Sequence, residues 1–303
     1  MPVIDIHTHV FPAGIAERAL QSLITQSRQR SEDRQRRRAR QPSEGCQQDE
    51  DRQQHEGHQR RRDRHRPYYD GTVEGLLATM DHGGVDISVV QPIATRPGQV
   101  KSINNWTAAA AAATNGRIVP FGAMHPGFEE PAAEIERMAS LGLRGIKLHP
   151  EFQEFDPLDP RVAPILKAAK EHGLIILFHA GADPSYDTVR GTPKAYRTLI
   201  EENPGLTIIL AHMGGFDIWD EVAKHLVGLP VYLDTAFALG YLPDDEAVAI
   251  VRAHGSERIV FGSDGPWTDV RKEIALWQES GLDSDELEPL LWRNAADMLG
   301  LRV

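Results

Sequence analysis

Short apolar runs rich in β-branched residues alternate with amphipathic stretches along most of the chain. Some runs, such as LIILF and LTIILA, are apolar throughout, which is typical of parallel strands that are covered on both faces. Eight runs are predicted to be strands, at residues 3–10, 86–93, 118–124, 143–149, 174–180, 206–213, 231–236 and 259–264.

Apolar residues at helical spacing fill the gaps between these runs. Val162, Ile165 and Leu166 form one such stripe, and a short helix is predicted over about residues 14–25, directly after the first strand. Eight strand–helix repeats in one domain predict a (β/α)₈ barrel, with a doubly wound open sheet as the alternative.

One segment departs from this alternation. Residues 26–66 contain 13 Arg, 9 Gln and 8 acidic residues, but no Val, Ile, Leu, Met, Phe, Tyr or Trp. Such a segment cannot bury enough apolar area to offset the entropy of ordering it. We therefore predict a single barrel over residues 1–303, interrupted after the first strand by a disordered or loosely ordered basic insertion. A tolerated loop is the simpler interpretation of the insertion.

The composition excludes several classes of protein. The 303 residues are 41% hydrophobic and carry a formal charge of −11, of which the insertion contributes +5. A wholly disordered chain is excluded, no apolar run is long enough to span a membrane, and the acidic body disfavours nucleic acid as its partner. The single cysteine, Cys46, cannot form an internal disulfide, and no secretory signal is evident. We therefore expect a cytoplasmic protein, with a homodimer as a general prior.

Polar side chains of the kind that bind metals stand where the predicted strands end. In a barrel the carboxyl ends of the strands converge at one mouth, where active sites lie. The residues at these ends are His7, His9, His125, His149, His179, His212 and Asp264.

His7 and His9 are two residues apart, so they share one face of the first strand. With His179 and Asp264 they would form a nitrogen and oxygen site suited to Zn²⁺ or a similar divalent ion. The alternative is that each group only satisfies hydrogen bonds in the barrel, but burying so many unpaired imidazoles would be costly.

Five segments carry a resemblance to a known family. They are IDIHTHVFP (4–12), GIKLHP (145–150), LFHAG (177–181), LAHMGG (210–215) and FGSDGPW (261–267). Together and in this order they resemble the amidohydrolase superfamily, in particular the amidohydrolase-related group that contains metal-dependent hydrolases and non-oxidative decarboxylases. Only the insertion falls outside the resemblance.

The resemblance implies roles for these residues. His7, His9 and Asp264 would hold a first metal ion. His179 and His212 would hold a second ion, or His179 would complete a one-metal site and His212 would serve as an acid/base or oxyanion-stabilising group. Lys147 would be carboxylated and bridge two ions, or would remain a free lysine that binds a substrate carboxylate.

The implied activity is hydrolysis of an amide, lactone or ester bond in a small molecule by a metal-activated water, with Asp264 as the proton acceptor. The first alternative is metal-dependent decarboxylation of an aromatic or unsaturated acid. The second alternative is an inactive barrel that binds an acidic partner through the basic insertion.

Further residues are candidates for contact with a substrate that carries a carboxylate. His149 shares the face of Lys147 and could line the pocket or replace Lys147 as a ligand. Arg190 could pair with a carboxylate. Asp183, Trp219 and Trp267 follow strand ends, although loop packing would explain them as well.

Overall fold

The structure, a computed structural model, describes residues 1–40 and 66–301. It contains one sheet of eight parallel strands in consecutive order. The strands are β1 (Ile4–Thr8), β2 (Ile87–Val90), β3 (Ile118–Ala123), β4 (Gly145–Leu148), β5 (Ile175–Phe178), β6 (Ile208–Leu210), β7 (Tyr232–Asp234) and β8 (Ile259–Val260). All eight predicted strands are confirmed, with shorter bounds than the sequence runs indicated.

Hydrogen bonds between the first strand and the residues directly after β8 bring the sheet back on itself. The amide of Ile6 donates to the carbonyl of Phe261 at 2.9 Å, and the amide of Asp264 donates to the carbonyl of His7 at 2.8 Å. This closure and the consecutive strand order confirm the (β/α)₈ barrel and exclude the open doubly wound sheet.

Helices cover the outside of the barrel between successive strands. They are α1 (Ala13–Arg40), α2 (Val73–Gly83), α3 (Val100–Ala112), α4 (Pro131–Ser140), α5 (Pro150–Gln153), α6 (Ala163–Glu171), α7 (Pro193–Glu202), α8 (Trp219–His225), α9 (Asp244–His254), α10 (Val270–Glu279), α11 (Ser284–Glu288) and α12 (Asn294–Leu299). No helix in the described part of the chain is both long and apolar enough to cross a membrane.

The first helix extends beyond its predicted end near residue 25 and continues to Arg40. The added residues are mostly Arg, Gln and other good helix formers without Gly or Pro, so they can continue a helix that the preceding turns have nucleated. Residues 41–65 of the predicted insertion lie outside the described residues.

Two apolar layers stabilise the barrel. The outer layer fills the space between strands and helices, and the inner layer contains side chains such as Ile4, Ile6 and Leu177. Leu299, from α12, packs against the inner layer and so closes the amino-terminal end of the barrel. The opposite end stays open and carries the polar residues.

A β-bulge in β1 allows the strand to contribute to both the inner core and the mouth. Simple alternation from Ile4 and Ile6, which face inward, would turn His7 and His9 outward. The pairing of β1 with β2 shifts register between Asp5 and Thr8, which corresponds to one extra residue in β1. The bulge reverses the alternation, so both histidines also face the barrel interior.

Candidate metal centre at the barrel mouth

A cavity of about 260 Å³ opens at the carboxyl ends of the strands. Its floor is polar, and its walls are mostly apolar and aromatic. The floor residues are His7, His9, Gln91, Lys147, His149, His179, Asp183, His212 and Asp264. The walls include Phe11, Leu23, Ile24, Phe152, Phe216, Phe237 and Trp267.

Three ligand groups meet on one side of this floor. The Nε2 atom of His9 lies 3.0 Å from Oδ1 of Asp264, and Nε2 of His7 lies 3.6 Å from the same oxygen. Ligand atoms of the three residues all lie within 4.8 Å of one another. The structure therefore brings together the three residues, His7, His9 and Asp264, that the resemblance assigns to the first metal.

Hydrogen bonds at the other ring nitrogen fix the orientation of both imidazoles. Nδ1 of His7 donates to Oδ2 of Asp234 at 2.8 Å, and Nδ1 of His9 donates to the carbonyl oxygen of Gln91 at 2.8 Å. These oxygens can only accept, so in the neutral rings the lone pair is on Nε2. Both lone pairs therefore face the Asp264 carboxylate, an arrangement that a cation between them would stabilise.

His179 presents a lone pair by a similar chain of hydrogen bonds. Nδ1 of His212 donates to the carbonyl of Ala236 at 3.0 Å, so Nε2 of the neutral His212 accepts from Nδ1 of His179 at 3.2 Å. Burial lowers the pKa of both imidazoles, which keeps them neutral. The remaining Nε2 of His179 is buried and has no hydrogen-bond partner among the described residues.

The donor set therefore fits a divalent cation. Nε2 lone pairs of His7, His9 and His179, together with the Asp264 carboxylate, are the ligand types that Zn²⁺ and similar ions prefer. The group of three ligand residues within 4.8 Å of one another does not include His179, whose Nδ1 contacts Nε2 of His212. An orphaned buried nitrogen is nevertheless costly unless a ligand satisfies it.

A second group of ligand atoms, from His149, His179 and Asp183, also lies within 4.8 Å. The two imidazole rings are stacked, with centroids 4.1 Å apart and an angle of 8° between their planes. A nitrogen lone pair lies in the plane of its ring, so two parallel rings cannot both direct a lone pair at one ion. This group is a poorer metal site than the first.

His149 has the opposite tautomer from the other cavity histidines. Its Nδ1 accepts from the amide of Phe152 at 3.3 Å, which leaves the proton on Nε2, 3.4 Å from Oδ2 of Asp183. This favours His149 as a hydrogen-bond donor in the pocket rather than as a replacement metal ligand.

Lys147 lies at the centre of the floor. Its Nζ atom is 3.2 Å from Nε2 of His7, and its side chain is fully buried. Burial lowers its pKa to about 8, an effect that the carboxylates of Asp234 and Asp264 oppose. The lysine is therefore more easily deprotonated than usual, as either carboxylation or proton transfer would require.

Other predicted residues lie away from the cavity. Arg190 points toward Asp156, with 3.9 Å between Nη1 and Oδ2, and Trp219 donates from Nε1 to the carbonyl of His212 at 3.1 Å. His125 accepts from the amide of Gly127 at 2.9 Å in a turn. None of these three side chains lines the cavity within the described ranges, whereas Asp183 and Trp267 both do.

Two residues that support the site were not predicted from the sequence: Gln91, on the cavity floor, and Asp234, which is buried against His7. Asp234 ends β7 in the run VYLDTA, and Gln91 follows β2. Both therefore satisfy the strand-end rule that identified the histidines. Their position at strand ends is therefore the signal that could have identified them.

Comparison with known proteins gives the family. The profile of the Amidohydrolase family (Amidohydro_2) matches residues 4–301. The chain therefore belongs to this family, as its strand-end motifs predicted. No curated protein matches the chain by sequence.

Solved structures of similar fold include both decarboxylases and a hydrolase. One is 5-carboxyvanillate decarboxylase LigW from Sphingomonas paucimobilis, with a TM-score of 0.65 and 18% identity over 99% of each chain. A second, from Novosphingobium aromaticivorans, is a 5-carboxyvanillate decarboxylase with manganese and 4-hydroxy-3-methoxy-5-nitrobenzoic acid, with a TM-score of 0.68 and 16% identity over 99% of this chain and 96% of that one.

The third is a probable 2-pyrone-4,6-dicarboxylic acid hydrolase from Acinetobacter baumannii with citric acid bound. Its TM-score is 0.63, and its identity is 14% over 99% of this chain and 100% of that one. At these identities the likeness establishes the fold and leaves the reaction to be argued from the site.

Proposed function

We propose that this protein is a metal-dependent hydrolase that cleaves an amide, lactone or ester bond of a small molecule. The observation that carries the proposal is the set of Nε2 lone pairs of His7 and His9 facing the Asp264 carboxylate. His7, His9, His179 and Asp264 would hold the ion, with Zn²⁺ as our first expectation.

A bound divalent ion would supply Lewis-acid chemistry, by polarising a carbonyl oxygen and lowering the pKa of a water molecule. The remaining chemistry belongs to the side chains. With the tautomers described above, neutral His7 and His9 present lone pairs to Asp264, so the positive charge near this carboxylate would come from the bound ion. That charge would keep Asp264 ionised, as a proton acceptor must be.

In the proposed reaction, a water oxygen adds to the carbonyl carbon and its proton moves to the Asp264 carboxylate. The same proton then passes to the departing nitrogen or oxygen as the bond breaks, so Asp264 returns to its starting state. The neutral His212 accepts rather than donates at Nε2. Because its Nε2 lone pair already accepts from His179, His212 suits the role of positioning His179 better than that of an acid/base group or an oxyanion donor.

Substrate binding is assigned to Lys147, His149 and Trp267. Apart from the histidines, Lys147 is the one cationic side chain among the described residues that line the cavity, so it would pair with a substrate carboxylate. His149 would donate a hydrogen bond from Nε2, and Trp267 would pack against an apolar part of the substrate.

The direct test is isotope incorporation. The zinc- or manganese-loaded protein is offered a panel of small lactones, esters and amides, with and without a carboxylate, in water enriched in ¹⁸O. Hydrolysis should place one ¹⁸O atom in the product acid. The Asp264→Asn variant should lose about 100- to 10,000-fold in rate, whereas Asp159→Asn, on the surface beside Arg161, should not.

Decarboxylation is the second candidate, and the shape of the cavity favours it. Aromatic side chains from Phe11, Phe152, Phe216, Phe237 and Trp267 line the walls around a single lysine, which would suit a flat aromatic acid. Two of the similar structures are named as decarboxylases of such an acid. In this version the ion and Lys147 would bind the substrate carboxylate and a neighbouring oxygen, and an acid would protonate the ring carbon.

The two reactions are distinguished by their products. Release of CO₂ from a hydroxybenzoic acid, with deuterium from D₂O on the ring and no ¹⁸O from solvent water in the aromatic product, would establish decarboxylation. Incorporation of ¹⁸O without release of CO₂ would establish hydrolysis. Failure of both, with no bound metal, would leave the inactive barrel as the better interpretation.

A further inference from the structure

Asp234, at the carboxyl end of β7, contacts two of the cavity histidines, the ring of His7 and the backbone amide of His212. We propose that this carboxylate is a positioning residue that sets the tautomer of His7 directly and that of His212 through the loop after β7. The catalytic importance of this inference rests on the proposed function, since the tautomers matter for catalysis only if a cation binds.

The direct contact is made by one oxygen. Oδ2 of Asp234 accepts from Nδ1 of His7 at 2.8 Å, and both side chains are fully buried. Nε2 of the same ring faces Nζ of Lys147 at 3.2 Å and Oδ1 of Asp264 at 3.6 Å. A carboxylate at Nδ1 holds the ring proton there and leaves the Nε2 lone pair facing the cavity.

The indirect contact is made by the other oxygen. Oδ1 of Asp234 accepts from the backbone amides of His212 at 2.8 Å and Ala236 at 3.0 Å. His212 has a left-handed backbone conformation, with φ of 59°, which a non-glycine residue adopts only at a cost. The bond to Asp234 holds it in this conformation.

The same loop supplies the acceptor for the His212 ring. Asp234 holds the amide of Ala236, and the carbonyl in the next peptide unit of the same loop accepts from Nδ1 of His212 at 3.0 Å, so Asp234 restrains the loop that supplies this acceptor. The two oxygens of Asp234 therefore act on different histidines. Oδ2 orients the ring of His7, and Oδ1 positions the backbone of His212 and of the loop that holds its ring.

Gly262 makes this arrangement sterically feasible. A Cβ atom at this position would come within 2.9 Å of Cβ of His7 and 3.5 Å of Cβ of Asp234. Gly262 lies just after β8. Because it has no side chain, His7 and Asp234 can approach each other in the barrel wall.

Because the two oxygens of Asp234 have different partners, Asp234→Asn should change the tautomer of His7 but not that of His212. Two backbone amides require an oxygen at the Oδ1 position, so the new amide nitrogen must take the Oδ2 position and face Nδ1 of His7. Two donors cannot face each other, so His7 should move its proton to Nε2 and lose the lone pair that faces the cavity. His212, which depends on Oδ1, should keep its tautomer.

The test is ¹⁵N NMR of the metal-free protein, which reports the protonated nitrogen of each imidazole without any substrate. The His7 signals are assigned by their loss in His7→Gln. Wild-type protein should show His7 and His212 with the proton on Nδ1. Asp234→Asn should show His7 with the proton on Nε2 and His212 unchanged, whereas Asp234→Ala should disturb both rings.

Asp5→Asn provides the matched control. Asp5 is also buried in the barrel wall, and its oxygens accept from the amides of His7 at 3.1 Å and Ser263 at 2.9 Å and from the Ser263 hydroxyl. It supports the same backbone but does not touch an imidazole nitrogen through these bonds. A general loss of packing would affect both variants, whereas the tautomer change should occur only in Asp234→Asn.

Metal affinity gives the second measurement. Mn²⁺ or Zn²⁺ binding by calorimetry should weaken about 10- to 100-fold in Asp234→Asn. The proposal is overturned if wild-type His7 has its proton on Nε2, or if Asp234→Asn leaves both the His7 tautomer and the affinity unchanged. Once His7→Gln has assigned the signals, the wild-type spectrum decides even if the Asp234 variants fail to fold, and it stands apart from the hydrolase proposal because it needs neither metal nor turnover.

Discussion

The two sides of the cavity floor contain the same residue types but differ in what they can do. On one side His7 and His9 have acceptors at Nδ1 and direct their lone pairs at Asp264. On the other side His149 has a donor at Nδ1 and directs a proton at Asp183. The contrast shows that the partner of the other ring nitrogen, rather than proximity to a carboxylate, decides whether a histidine is prepared for a metal.

The strongest test of this contrast replaces one carboxylate on each side. Asp264→Asn should weaken Mn²⁺ or Zn²⁺ binding by more than the roughly 10- to 100-fold typical of losing a residue behind a ligand. Asp183→Asn should change the affinity by less than about threefold. Isothermal titration of the two purified variants checks this, and an equal loss in both would contradict the assignment of the metal to the His7 side.

Packing on the His7 side can be tested without touching a polar group. Gly262→Ala would force a Cβ atom to within 2.9 Å of Cβ of His7, so we expect a loss of about 1–3 kcal/mol of folding free energy. Urea denaturation of the metal-free protein measures it. Gly98→Ala, where nothing lies within 4 Å, is the control and should be nearly neutral.

On the His149 side, Glu151 should make the free energy of unfolding depend on pH. Burial raises the pKa of Glu151 to about 7. Between about pH 4.5 and 7 the folded protein therefore keeps a proton that the unfolded chain has released, so this group makes stability fall as pH rises. Its Oε1 atom accepts from the amides of Arg190 at 2.9 Å and Gly191 at 3.4 Å.

Glu151→Gln keeps that acceptor and removes the titration. The stability of the wild-type protein relative to this variant should decline by about 2 kcal/mol between pH 5 and pH 7. Denaturation of both metal-free proteins at the two pH values checks the prediction. A constant difference across the range would indicate that Glu151 is already ionised at pH 5.

The number of metal ions per chain gives the smallest difference, a factor of two. The bond between His212 and His179 favours one ion, because the lone pair of His212 is occupied. We therefore expect about one ion per chain by elemental analysis, with Lys147 uncarboxylated by mass spectrometry. Two ions together with a carboxylated Lys147 would favour the bridged centre instead.

The barrel could be predicted because long apolar runs and strand-end motifs are local signals. Each of the eight strands lies within its predicted run, and the floor histidines lie where those runs end. The bulge in β1 could not be predicted, because the register depends on the pairing of β1 with β2 rather than on either sequence alone. Regular alternation along β1 would have directed either Ile4 and Ile6 or His7 and His9 away from the barrel interior.

The tautomers were also beyond the reach of the sequence. They depend on Asp234, Gln91 and the carbonyl of Ala236, which lie far from their histidine partners along the chain. The position of Arg190 illustrates the same limit, because a charged residue after a strand end can face solvent or the cavity, and the loop conformation decides which.

The first helix has a consequence for redesign of the chain. Leu23, Ile24 and Ser27 of α1 line the cavity, and the next lining residue of the described chain is Gln91. In the described chain after α1, residues 66–90 contribute no side chain to the walls. A short connector that replaces the arginine-rich stretch after Ser27 would retain the three wall residues that the described part of α1 supplies, so the position after Ser27 is a natural place at which to shorten the chain.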